Sequence, residues 1–211
     1  MKLRIKKIRL VTTLLAVPVI ICVMACRQKD SSIIEDYTRT IAPISNYRDT
    51  IVGKFNGKEI DTLICEPTGP ITNDDYFGDY YTEWRVFSTK GTVNELKIGD
   101  TIGIKFLKEG DVDGNGTEEW GFLNEWVTSA WTNYKLFTYK DGQWKLMVDP
   151  ITIWYDHLEM GLSASDIVRP SDQEGYLRIK TSQVIDDYTY WAVIDSIVPI
   201  NPHDYIYKPV E

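Results

Sequence analysis

Between Gly110 and Leu123 the chain reads GDVDGNGTEEWGFL, fourteen residues with four carboxylates, one amide and four glycines. Oxygen-bearing groups recur there at alternate positions: the side chains of Asp111, Asp113 and Asn115, the backbone carbonyl of Thr117, then Glu119. Calcium is a hard cation that takes six to eight oxygens at about 2.3–2.6 Å, commonly from a loop that supplies them at every second position. Gly114 and Gly116 let the backbone wrap closely around such a centre. Without a cation, three carboxylates a few ångströms apart repel one another. The spacing therefore predicts a turn clamped by calcium, with the ion serving as a structural cofactor. The plainer alternative is a glycine-rich surface turn whose acids keep it soluble.

The residues after the loop separate two kinds of calcium site. An EF-hand requires an acid at its twelfth position and a helix beyond it. Counting from Asp111, the twelfth residue is Phe122, and EWGFLNEWV sets Trp120, Phe122 and Trp126 on one face of an extended strand. The segment resembles the calcium-binding hairpin loops of FG-GAP and VCBS repeats, which carry Asp-x-Asp/Asn-x-Asp/Asn-Gly-x-x-Asp between two strands. That resemblance implies metal contacts from Asp111, Asp113, Asn115, the Thr117 carbonyl and Glu119. The sequence departs from the pattern twice, because Asn115 brings no charge and Glu119 is longer than Asp. An earlier stretch, GKFNGKEIDTL from Gly53, echoes the same order of glycine, charged residue, apolar residue, Asn/Asp and glycine. Lys54 occupies the place of its first acid and the loop is about one residue shorter, so this degenerate copy is expected to be metal-free.

The amino terminus is of another kind. MKLRIKKIR carries five basic residues and no acid, an apolar run extends from Leu10 to Met24, and Val23-Met24-Ala25 leads into Cys26. A basic start, an apolar run too short for a bilayer and a small residue before the cut describe a secretory signal over residues 1–25. The VMAC ending resembles the lipobox of bacterial lipoproteins. The resemblance implies that Cys26 is acylated and that the mature chain is tied to the membrane, with the outer membrane of a Gram-negative bacterium as the expected place. Removal of the signal leaves 18 basic residues against 31 acids, a charge of −13. So acidic a chain lacks the basic stripe that phosphate-backbone binding needs, which argues against a nucleic-acid partner.

Residues 26–45 are expected to hold the acylated cysteine, a polar tether and a short helix from Ser32 to Ile41, ahead of one β-rich domain over residues 46–211. Short runs rich in Val, Ile, Tyr, Trp and Phe alternate there with Gly, Asp, Asn and Pro clusters. Strands are predicted at Glu59–Cys65, Trp84–Ser88, Ile102–Leu107, Glu119–Val127, Tyr176–Thr181 and Tyr188–Ile194. YKLFTYKDGQWKLMV predicts a hairpin turning at Asp141-Gly142. Ser163–Val168 has room for one or two helical turns. The fold class is mainly β, with antiparallel sheets forming a sandwich, a barrel or a partial propeller, and at most one or two short helices. A complete propeller needs at least four blades, which this length would barely hold.

Other chemistry-bearing residues point to binding rather than catalysis. TNDDYFGDYYTEW places Tyr76, Tyr80, Tyr81 and Trp84 among acids, a composition that suits ligand contact with a glycan or, more plainly, anchorage of a loop in the core. His157 and His203 are the only histidines, Cys65 alternates with Leu63 as a core residue would, and no nucleophile elbow, phosphate loop or zinc-protease motif occurs. The expected function is a non-enzymatic binding or interaction module for a glycan or protein ligand. An immunity or inhibitor lipoprotein acting on an envelope toxin or enzyme is the alternative, and a hydrolase the third class.

Overall fold

The structure is a computed structural model that describes residues 48–68, 72–74, 79–101, 103–125, 129–186 and 190–207. Residues Ile44–Glu211 form one compact unit. The signal, Cys26 and the helix expected over Ser32–Ile41 lie outside the described residues, as does Tyr76.

Among the described residues, alternating apolar residues and turn clusters produce fourteen strands in three antiparallel sheets. In the first sheet, β1 (Asp49–Gly53) pairs β2 (Asp61–Pro67), which pairs β4 (Asp79–Ser88). The long β4 also carries β3 (Thr72–Asp74) and β5 (Leu96–Thr101). In the second sheet, β6 (Gly103–Gly110), β7 (Glu119–Glu125), β8 (Trp131–Lys140) and β9 (Gln143–Leu146) form a meander of neighbouring strands. It is extended by β10 (Ile151–Trp154) on β8 and by β14 (His203–Asp204) on β9. The third sheet is β11 (Val168–Pro170), β12 (Tyr176–Asp186) and β13 (Tyr190–Pro199). Helical structure among the described residues is one turn-and-a-half helix α1 (Tyr155–Glu159) and a 3-10 turn over Ala164–Asp166. Among the described residues no sheet closes into a barrel.

The hairpin at Asp141-Gly142 forms as its sequence predicts, with both residues at positive φ, 54° and 78°, the twist that a two-residue turn needs. The central sheet departs from simple alternation. Six of the seven residues of β7 are buried, on both faces. One face carries Trp120 and Phe122 into a cluster with Phe106, Phe137, Trp144 and the first sheet's Leu63, Trp84 and Ile98. The other face carries Leu123 into a second cluster with Tyr134, Leu136, Ile153, Ile167 and the third sheet's Leu177. The middle sheet is therefore a shared wall between two cores. Gly121 belongs to that packing, because a Cβ there would stand 2.1 Å from the Tyr134 hydroxyl.

Candidate metal centre

The acidic loop connects β6 to β7, as a strand–turn–strand reading requires. The ladder ends at the pair Gly110–Glu119, after a bulge between Lys108 and Gly110, and residues 111–118 make the turn. Gly110, Gly114 and Gly116 all have positive φ, between 74° and 88°, which a side chain would disfavour. Val112 is buried in the second core and fastens the middle of the loop to the body.

This backbone gathers three of the predicted ligands. Asp111, Asp113 and Glu119 each bring a carboxylate oxygen to within 4.8 Å of the other two. They differ in setting: Asp111 is exposed, Asp113 half-buried and Glu119 fully buried. Glu119 is held from two sides, since Oε2 accepts from the Val112 amide at 3.0 Å and Oε1 from the Thr138 hydroxyl of β8 at 2.9 Å. Burial pushes its carboxyl up to about 8, even against the pull of the Val112 amide, and the charges of Asp113 and Asp111 add to the rise. Asp113 is raised too, first by burial and then by nearby Asp111. A divalent ion at this point would reverse that balance, because it favours the charged form of every carboxylate around it.

Asn115 and Thr117 play a different part. The Asn115 backbone amide and Nδ2 donate to the two oxygens of Asp113 at 3.1 and 2.8 Å, and its Oδ1 accepts from the Thr117 amide at 2.7 Å. Asn115 thus braces Asp113 and is itself held by the Thr117 amide. The Gly116 amide donates to Asp111 Oδ2 at 2.9 Å. Glu118, which the spacing argument passes over, turns the other way. Its Oε1 is 2.8 Å from Lys108 Nζ, its Oε2 accepts from the Lys54 amide, and its own amide donates to the Lys54 carbonyl at 3.1 Å. Glu118 therefore ties this loop to the β1–β2 loop.

That second loop is the degenerate copy, and it sits at the matching place in its hairpin. Gly53 pairs Asp61 as Gly110 pairs Glu119; Phe55 is buried like Val112, and Gly57 at φ 71° matches Gly114. Asp61 is 1 % exposed, and among the described residues it joins no carboxylate cluster. Its oxygens accept from the hydroxyls of Ser88, Thr89 and Thr92 and from the amides of Lys90 and Thr62. Burial acts to raise its carboxyl, but the bonds from Ser88, Thr92, Thr62 and Thr89 outweigh it and hold the group far below the usual range. Sequence reading missed this cage. Its one signal, Ser88-Thr89 with Thr92, looks like an ordinary loop.

Of the other singled-out residues, Trp84, Cys65 and His157 are buried. Trp84 is fully buried and its ring packs the first core, where the plainer reading of that stretch places it. Tyr80 and Tyr81 lie on β4. Cys65 is fully buried and its thiol is pushed up by burial and by Asp49 and Glu66, the opposite of a reactive thiolate. His157 is buried with Nδ1 2.8 Å from the Ser182 hydroxyl, edge-on to Trp154. His203 bonds the Asn201 carbonyl through Nδ1. No family model, curated protein or solved structure matches this chain.

Proposed function

We propose that the chain is an exported, lipid-anchored β protein of the bacterial envelope, acylated at Cys26, in which calcium held by Asp111, Asp113 and Glu119 fixes the β6–β7 turn. Its role is that of a non-enzymatic binding module. One observation carries the metal reading: a fully buried glutamate facing two aspartates, their oxygens within 4.8 Å, at a turn shaped by left-handed glycines. Burying that much negative charge is costly unless a proton or a cation compensates it, and a divalent cation compensates all three carboxylates at once. The ion supplies charge neutralisation and staples the turn, while Asn115 and Thr138 hold the carboxylates in place for it. An affinity of roughly 10⁻⁴–10⁻³ M, as in extracellular modules, suffices where calcium is millimolar.

Thermal melting in calcium and in chelator tests the site, with wild type beside the double variant Asp111→Ala, Asp113→Ala. Wild type should melt higher in calcium and the variant should melt alike in both. Equal melting of wild type in the two buffers would remove the site.

A second reading has an observation of its own. Val184, Ile185, Val193 and Ile197 are exposed along the β12–β13 hairpin, and apolar strands of that kind suit pairing with another protein. An inhibitor or immunity role is favoured if pull-down yields one tight, basic protein.

A further inference from the structure

At the end of β7 remote from Glu119 stands a nearly buried polar residue that lines a cleft. Asn124 is 2 % exposed. Its Oδ1 accepts from Lys135 Nζ at 3.2 Å. Asn124 lines a cleft of about 400 Å³ together with Asn133, Lys135, Asp204, Tyr205 and Ile206, a size within the roughly 300–1,000 Å³ of ligand sites. Alternation puts Asn124 on the face of Phe122, and Asn133 on that of Lys135, Phe122's cross-strand partner. The four residues thus share one floor.

The cleft is held in shape by its own contacts. Lys135 Nζ lies 4.9 Å above the Phe122 ring and 6.0 Å from that of Tyr205. Tyr205 packs edge-on to Phe137 at 5.3 Å, which fixes its ring as a wall. The polar groups are mixed: Asn124 Nδ2 and the ammonium donate, the Asn133 amide does both, and Asp204 on the rim accepts. A hydroxyl group both donates and accepts, and the C–H face of a sugar ring packs on an aromatic wall. A carboxylate would match the donors alone and would be repelled by a chain of net charge −8.

We propose that this cleft binds a neutral sugar residue, with Asn124, Asn133 and Lys135 taking its hydroxyls and Tyr205 its ring face. The proposal names the ligand of the binding module above and rests on that reading. Saturation-transfer NMR on the full-length chain tests it with millimolar glucose, galactose, mannose, N-acetylglucosamine and galacturonate. At least one neutral sugar should receive saturation, and Asn133→Ala and Tyr205→Ala should each weaken it by about tenfold, Asn133→Ala without lowering the melting temperature and Tyr205→Ala with the chain still folded at the temperature of the measurement. Asn124→Ala should abolish it; if that variant fails to fold, the two half-exposed positions carry the test. The proposal falls if no neutral sugar responds, if galacturonate alone responds, or if both variants bind as wild type does. Melting in calcium and chelator on the same preparation keeps the two ideas apart. A calcium shift without sugar binding removes the cleft alone, and sugar binding without a calcium shift removes the metal loop alone.

Discussion

Asp61 and Glu119 open equivalent strands of two hairpins, each opposite a glycine and each buried, yet their surroundings drive them in opposite directions. Asp61 is enclosed by three hydroxyls and two amides and lies far below the usual carboxylate range. Glu119 has one hydroxyl, one amide and two other carboxylates, and lies near 8. A buried acid can thus be compensated by donors that the chain supplies or by a cation that it must recruit. The first hairpin takes the former route. The second, by our proposal, takes the latter.

Breaking the hydroxyl cage should have the largest effect. Asp61→Ala leaves a set of buried donors unmatched and should cost on the order of 3 kcal/mol, lowering the melting temperature by roughly 6–12 °C for a domain of this size. The loss should be equal in calcium and in chelator. A calcium-dependent loss would dissolve the contrast between the hairpins.

Next in size is the ion itself. At ten times its dissociation constant calcium should add about 1.4 kcal/mol, a rise of roughly 3–6 °C, and Asp111→Ala with Asp113→Ala should erase it. Scanning calorimetry reads both numbers.

The two acids also predict opposite pH trends. Glu119 titrates higher in the folded chain, near 8, than its ordinary 4.5. In chelator its contribution is therefore fully present below about 4.5 and is lost as pH rises towards 8, and Asp113, also raised, acts in the same sense. Asp61, being depressed, contributes above its ordinary value and loses that only in strong acid. Calcium must displace the proton on Glu119, so its affinity should tighten as pH rises from 6 to 8. Titration calorimetry in buffers of differing ionisation enthalpy should detect proton release on binding; none would remove Glu119 from the ligand set.

The smallest expected effect concerns the tie between the loops. Glu118→Ala removes a partly exposed ion pair with Lys108 and the bond from the Lys54 amide, a loss of about 1 kcal/mol. The calcium shift should persist, because Glu118 faces away from the cluster.

The strand–turn–strand character of the acidic loop was legible, because alternating acids, glycines and a trailing aromatic run each reflect a local requirement. The Asp141-Gly142 hairpin was legible for the same reason. Nonlocal features were not. The donors around Asp61 arrive from 27 to 31 residues away for the three hydroxyl groups, and serine or threonine in a loop has no periodicity to betray it. Burial of β7 on both faces hid the amide at Asn124, since a polar residue near a strand end reads as solvent-facing. The helix α1 spans five residues, too few for a 3.6-residue period to register. Asn115 fits the alternation that marks ligands, and its bonds are nonetheless local, Nδ2 to Asp113 and Oδ1 from the Thr117 amide.

Strand β7 runs from Glu119 to Glu125 with no solvent-facing side until its last residue. Five residue steps separate Glu119 from Asn124, roughly 17 Å of extended backbone. A span wedged between two cores has no slack to lengthen or swivel, so it acts as a strut of set length with a charged socket at one tip and an amide at the other. Loading either tip should leave the other's affinity unchanged, and the two occupancies should add rather than cooperate.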